Sequence, residues 1–302
     1  MRTRCSLAAP SLAIALAVAA LAQPAAAQEV PTLAKIKSTG TIALGHRESS
    51  IPFSYYDDKQ QVVGYSQELM LKVVDAVKAE LKLPALAIKL TPVTSQNRIP
   101  LVQNGTVDIE CGSTTNNAER AKQVAFSNTI FIIGTRLMTK KDSGIKDFPD
   151  LAGKNVVTTA GTTSERLIRK MNEEKKLGMN IISAKDHGES FLTLETGRAV
   201  AFMMDDALLY GEMAKARKPA DWIVTGMPQS YEAYGCMLRK GDAAFKKVVD
   251  AALAKAMTSG EAEAIYRKWF TQPIPPKGLN LNFPLSEAMS TLFKAPNDKA
   301  YD

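Results

Sequence analysis

The chain has 302 residues, 45% hydrophobic and 23% charged, a composition that suits one or two folded domains and excludes a disordered or low-complexity protein. The formal net charge is +7. Its lysines and arginines are scattered, with only short runs such as Lys140-Lys141 and Lys246-Lys247, which argues against nucleic-acid binding and for a surface that gathers anionic solutes.

The N-terminus reads as a secretory signal peptide. Arg2 and Arg4 form a basic start, an apolar stretch runs from Leu7 to Leu21, and Ala25-Ala26-Ala27 supplies the small residues of a cleavage site. The apolar stretch is short for a membrane span of about 20 residues, and Gln23-Pro24 ends it. Cys5 precedes the apolar core, the wrong place for a lipid-anchored first residue. Cleavage before Gln28 would give an exported, soluble, periplasmic protein. Two cysteines would remain, Cys111 and Cys236. An oxidising compartment permits a disulfide between them, and spacing alone leaves two buried thiols as the other reading.

From Gly40 the pattern alternates between strand and helix. Thr41 to Leu44 reads as a strand, and a turn at Asp57-Asp58-Lys59 follows Pro52 to Tyr56. Ser66 reads as the cap of a helix to about Leu81, with Leu69, Val73, Val74, Val77 and Leu81 near one face. Ala87 to Pro92 is a strand. A short helix carries Ile99, Leu101 and Val102 with Pro100 in its first turn, ends at Gly105, and leads into a strand from Val107 to Glu110.

A second half repeats the grammar. Asn155 to Thr158 is a strand, Thr162 and Glu165 fit a capping box at a helix start, and Ile181 to Ser183 is a strand. Phe191 to Ala201 echoes Ile99 to Ile109: a short helix, a glycine stop, then a strand. The whole predicts two α/β lobes of similar plan. Thr129–Lys141 and Glu232–Lys240 read as connections between them. Helices from Asp242 to Met257 and from Glu261 to Phe270 follow, and a Pro- and Asn-rich tail from Pro273 is expected to wrap the surface.

The segment Thr94 to Arg120, TSQNRIPLVQNGTVDIECGSTTNNAER, sets Arg98 and Arg120 among hydroxyl and amide residues near two expected helix starts. Arginine is a fixed fork of donors that suits a carboxylate, and helix starts offer free N–H groups. Such a segment grips a small acid without reacting with it.

With GHRESSIPFSYYD (45–57), VGYSQEL (63–69), AGTTSER (160–166), ISAKDHGESFLTLETGRAVAFMMDDALL (182–209) and EAYGCMLRK (232–240), this segment resembles the periplasmic solute-binding proteins of ABC transporters for polar amino acids, and among them the glutamate/aspartate type. The resemblance implies a type II two-lobe clamp: residues 28–134 plus 229–302 in lobe 1, 135–228 in lobe 2, and two crossing strands as hinge. It implies capture of L-glutamate or L-aspartate by lobe closure, delivery to a membrane permease, a monomer, and no cofactor. Position by position, Arg120 would pair with the α-carboxylate, aided by Ser113, Thr115 and, from the other lobe, Thr163. Asp205 would receive the α-ammonium. Arg47, Ser95, Arg98 and His187 would take the second carboxylate. Without the resemblance, Asp205 and Asp206 are equally fit to cap the next helix, Ser95 suits a helix cap, Arg120 could pair with Glu119 or Glu110, and Phe53 belongs either beside the ligand or in the core.

An enzyme on the same clamp is the principal rival. The sequence offers no GxSxG, no CxxC, and no metal spacing around His46 and His187, so no catalytic residues and no metal are expected. A sensor would need a membrane span or a signalling domain, and neither is legible.

Overall fold

The computed structural model describes residues 30 to 301; the signal peptide and Cys5 lie outside the described residues. The chain opens with helix α1 (Thr32–Thr39), strand β1 (Thr41–His46), the short strands β2 (Ser49–Ser50), β3 (Ser54–Tyr56) and β4 (Val62–Val63), helix α2 (Tyr65–Leu81) and strand β5 (Ala87–Pro92). Next come α3 (Arg98–Gln103), β6 (Ile109–Glu110), β7 (Thr115–Asn116), α4 (Ala118–Ala121) and the long β8 (Val124–Lys140). A 3-10 turn at Phe148–Leu151 leads to β9 (Asn155–Thr159), α5 (Thr163–Glu174), β10 (Asn180–Ala184), α6 (His187–Glu195), β11 (Ala201–Asp205) and α7 (Asp206–Lys215). After a second 3-10 turn, β12 (Trp222–Thr225), β13 (Tyr231–Arg239), α8 (Ala243–Thr258), α9 (Glu261–Phe270) and α10 (Glu287–Lys294) complete it.

The main sheet runs β10-β9-β11-β8-β13-β6-β1-β5. Two parallel triplets lie at its ends, β5-β1-β6 and β10-β9-β11, each in the order second, first, third along its half of the chain. The Ile99–Ile109 and Phe191–Ala201 segments occupy equivalent places in them: each is the helix before the third strand, followed by that strand or the approach to it. Strand β8 joins the triplets. Its residues up to Gly134 pair with β13, and from Thr135 onward they pair with β11 and β12.

Parallel strands covered on both faces need continuous apolar runs, and β11 (AFMMD) is buried throughout. Around the first triplet, Leu69, Met70, Val73, Val74 and Val77 of α2 face the core, and an aromatic nucleus links β3, β8 and α9. Phe53 lies 4.8 Å edge-on from Phe131, which stacks on Phe270 at 4.9 Å; such pairs each add about 0.5–1.5 kcal/mol beyond area burial. Phe53 is fully buried in this nucleus. A smaller core of Leu137, Phe148, Leu151, Val156, Ile168, Met171 and Met203 supports the second triplet.

Several local expectations need correction. Ser66 does not cap α2. Gly64 does, at φ 134°, where a Cβ would sit 2.3 Å from the Phe53 carbonyl oxygen, and the Ser66 hydroxyl instead donates to Gly112 O. Thr162 caps α5, but Glu165 returns its bond to the Gly161 N–H rather than to Thr162, so the capping box is displaced by one residue. The C-terminal tail carries a docked helix, α10, because Met289, Leu292 and Phe293 share one buried face.

Cys111, just past β6, and Cys236 in β13 form a disulfide that closes 125 positions of chain. Replacing both by alanine should cost about 2–5 kcal/mol and lower Tm by roughly 5–15 °C, measured calorimetrically. An unchanged Tm, or two reactive thiols in unfolded, unreduced chain starting at residue 28, would contradict the bond.

Candidate functional site

The site is assembled at the C-terminal ends of both parallel triplets, where loops and helix starts converge in open α/β sheets. Arg47 follows β1. Ser95 lies in the loop after β5, and Arg98 opens α3. Ser113 follows β6, Thr115 is in β7, and Arg120 rides on α4, capped by Asn117. From the second triplet, Thr163 opens α5 after β9, His187 opens α6 after β10, and Asp205 ends β11. All are buried except Thr163, which is half-buried.

The structure brings these groups together across the two halves. Arg120 donates through Nη1 to Thr115 O (3.0 Å) and through Nη2 to Gly161 O (3.3 Å) of the facing half. The Thr115 and Thr163 hydroxyl oxygens lie 3.5 Å apart. Ser50 Oγ lies 3.0 Å from His187 Nδ1. Gly161, at φ +77°, packs against Gln96 so closely that a Cβ would sit 2.8 Å from Gln96 Cγ and 3.0 Å from its Cα. At the rim Glu119 pairs with Arg166.

Several buried polar atoms have no hydrogen-bond partner among the described residues: both terminal nitrogens of Arg47, Nε of Arg98, and the hydroxyls of Ser95 and Ser113. Ser95 therefore caps nothing, since α3 begins later and Asn97 precedes it. Buried donors of this kind cost free energy unless something accepts from them. Arg47, His187 and Asp205 bond only to neighbours outside the set, Ser54, Ser50 and the Ser164, Thr135 and Tyr234 hydroxyls.

The charges are strongly perturbed. Burial, then the nearby Arg98 charge, lowers Arg47 to about 10 and Arg120 to about 9. Arg98 is lowered by burial, with Glu110 opposing. His187 is driven well below the usual imidazole value by burial and by Arg47, Arg98 and Lys215, so it is neutral. Burial and the Glu232 carboxylate push Asp205 up to about 8, against hydrogen bonds from Tyr234 and Ser164. Asp205 and Asp206 thus separate: Asp206 accepts from the Ala207 N–H, while Asp205 makes no cap bond and receives Ser164 Oγ (3.2 Å), Thr135 Oγ1 (3.3 Å) and the Tyr234 hydroxyl.

Two acids have roles that the sequence reading does not give them: Glu110 appears there only as a possible partner of Arg120, and Glu232 with no role. Glu110, fully buried, sits behind the arginines rather than on the surface: Arg98 Nη1 donates to Thr114 Oγ1 (2.5 Å), which donates to Glu110 Oε2 (2.7 Å). Glu232 in β13 accepts from Thr115, Thr163 and Ser230. The only signal available was an acid set among apolar residues, Glu110 between Ile109 and Cys111 and Glu232 ahead of Ala233 and Tyr234. Among the described residues no cluster of His, Cys, Asp and Glu could hold a metal, and no helix is long and apolar enough to cross a membrane.

This arrangement can hold a small anion and a neighbouring ammonium. Residues 42–272 match the family model described as bacterial extracellular solute-binding proteins, family 3. The chain is 68% identical over 295 residues to an L-glutamate/L-aspartate-binding protein of Pseudomonas aeruginosa, covering 97% of this chain and 98% of that one. It is 63% identical to a glutamate/aspartate import solute-binding protein of Escherichia coli, covering 96% and 95%. Among solved structures, an ancestral arginine-binding protein bound to arginine is 29% identical with a TM-score of 0.68, covering 76% of this chain and 98% of that one. A mutant of ArgBP from T. maritima is 26% identical with a TM-score of 0.70, covering 79% and 98%. A two-lobe α/β architecture, a cleft lined by paired halves, and a family match across most of the described chain agree: the protein belongs to the bacterial extracellular solute-binding proteins, family 3.

Proposed function

We propose that this protein captures L-glutamate and L-aspartate outside the cytoplasm and hands them to the permease of an ABC transporter. The observation that carries the reading is the pair of buried, unbonded Arg47 nitrogens beside Arg98 and a neutral His187. An uncharged side chain could not match them; a second carboxylate does. In the tautomer in which His187 Nδ1 accepts from Ser50, the neutral imidazole carries its proton on Nε2 and is an added donor with no added charge. Arg47, Arg98, His187 and Ser95 hold the distal carboxylate. Arg120, Ser113 and the N–H groups at the start of α5 hold the α-carboxylate, with Thr115 and Thr163 alongside, and Asp205 takes the ammonium.

The proposed lobes are residues 28–134 plus 229–302 and residues 135–228. The exchange of β8's partners between Gly134 and Thr135 supports that division, as do the bonds of Thr135 N to Ser230 O (3.1 Å) and Gln229 N to Thr135 O (3.0 Å). The closed arrangement is the ligand-holding state, because only there do both halves reach one solute. Removal of residues 1–27 on export to the periplasm completes the proposal.

Calorimetry on chain from residue 28 should find glutamate and aspartate bound far more tightly than glutamine and asparagine. An unpaired buried charge typically costs about 3–5 kcal/mol, two to three orders of magnitude in affinity. Arg98→Met should erode that discrimination, whereas Arg120→Met should weaken every amino acid. Glutamine bound as tightly as glutamate would reject the assignment.

Binding should also release a proton. In the closed arrangement burial and the Glu232 carboxylate push Asp205 up to about 8, favouring its protonated form, and an ammonium beside it favours the carboxylate. Affinity should therefore fall as pH drops below that value and level off above it. Titrations at about pH 6.5 in buffers of different ionisation enthalpy should give a proton release approaching one. Zero release would mean that Asp205 does not receive the ammonium.

A further inference from the structure

We propose that Glu232 is a positioning residue for the α-ammonium: it fixes the Thr115 and Thr163 hydroxyls as acceptors toward the bound solute. This rests on the amino-acid reading above and deepens it.

A threonine hydroxyl has one proton and two lone pairs. Thr163 Oγ1 donates to Glu232 Oε2 at 2.7 Å, and Thr115 Oγ1 donates to the same oxygen. Both protons are thus committed to one buried carboxylate. The two oxygens face each other from opposite halves, 3.5 Å apart, with only lone pairs left for a solute. Lone pairs attract an N–H donor and repel a carboxylate oxygen. The Thr115 and Thr163 hydroxyls therefore belong to the ammonium, in place of the carboxylate role the resemblance implies for them, and the α-carboxylate is left to Arg120, Ser113 and backbone N–H groups.

The placement of Glu232 reinforces this. It sits in β13, two residues from Tyr234, so both project from one face of the strand. The Tyr234 hydroxyl holds Asp205 Oδ2. On the other side of Glu232, Ser230 Oγ lies 3.1 Å from Oε1 and 2.7 Å from Thr135 Oγ1, which lies 3.3 Å from Asp205 Oδ1; two hydroxyl protons serve these three contacts. One strand face thereby orients three acceptors: Asp205 through the Tyr234 hydroxyl, and Thr115 and Thr163 through Glu232. The competing view is that Glu232 only ties the two halves together, which would stabilise closure around any ligand alike.

A ligand pair separates the two views. Glutarate keeps both carboxylates of L-glutamate and lacks the ammonium. An amide at 232 can donate, which frees a threonine proton to turn toward the solute. Glu232→Gln should weaken L-glutamate by on the order of ten- to a hundredfold while glutarate, measured by competition, changes by less than about threefold. Glu232→Asp, which keeps an acceptor-only group, should recover part of the glutamate-to-glutarate ratio. Thr163→Val, which deletes one oriented acceptor and leaves the acid, should also lower the ratio and provides the test if Glu232→Gln does not fold. Equal weakening of both ligands, or an unchanged ratio in Glu232→Gln and Thr163→Val, would overturn the role while leaving the ligand assignment standing. Wild-type protein that binds no L-glutamate would instead overturn the ligand assignment, and this inference with it.

Discussion

The constraint on which the rest of the structure depends is the burial of three guanidinium groups, Arg47, Arg98 and Arg120, in one closed cleft. Removing three like charges from water is costly, and the nearby acids Glu110, Glu232 and Asp205 offset that cost only in part. The compensating carboxylates stand behind. Glu110 reaches Arg98 only through Thr114, and Glu232 acts through hydroxyls. The arginines are thus held in place while their donors on the cleft side remain available. A solute with two carboxylates supplies what the protein withholds, and its binding is the release of a cost already present in the fold.

The sheet makes such a cleft attainable. Each functional side chain sits within a few residues of a strand's C-terminal end, at the start of a helix, or both. Strand direction therefore decides which chain segments meet, and the same strand order in both triplets points two sets of helix starts at one another. β8 and β13 carry the connection between halves, and β13 also contributes Glu232 and Tyr234. The segment proposed as hinge is therefore also the segment that orients the acceptors. A change of angle between the halves would move Thr163 relative to Glu232 and alter the hydroxyl array.

Elements with a self-contained signal were legible in sequence. The helix from Glu261 to Phe270 was read to the residue, because Gly260 precedes it and its apolar spacing is regular. The first connecting strand is recognisable as a long β-branched and aromatic run, whereas the second, YEAYGCMLR, has no β-branched residue. Features that depend on distant partners were not legible. Ser66 carries every local mark of a cap, yet the close approach of Phe53 makes Gly64 the residue that fits. Ser95 has the right type for a cap but stands too early for α3. The helix near the C-terminus has a clear apolar face in Met289, Leu292 and Phe293, masked by the proline and asparagine residues around it. Glu232 was the hardest to assign, since its contact with Thr115 spans 117 positions. An acid in a strand is ordinarily an edge residue, and only the assembled fold makes it an interior one.

His187 illustrates why charge and hydrogen bonding must be considered separately in such a site. A protonated imidazole beside Arg47 and Arg98 would add a third positive charge to the same small volume, and would give up Nδ1 as an acceptor for Ser50. Burial and the two guanidiniums exclude that state. What remains is a donor of fixed direction that adds no repulsion. The same separation appears at Thr115 and Thr163, where an acid out of the solute's reach sets the polarity of neutral groups that face it. In the proposed reading, full charges supply attraction for the two carboxylates, and neutral groups, turned by their neighbours, determine which end of the solute belongs where. A clamp built this way discriminates by unpaired groups, not by shape alone, and needs no bond-making chemistry to do so.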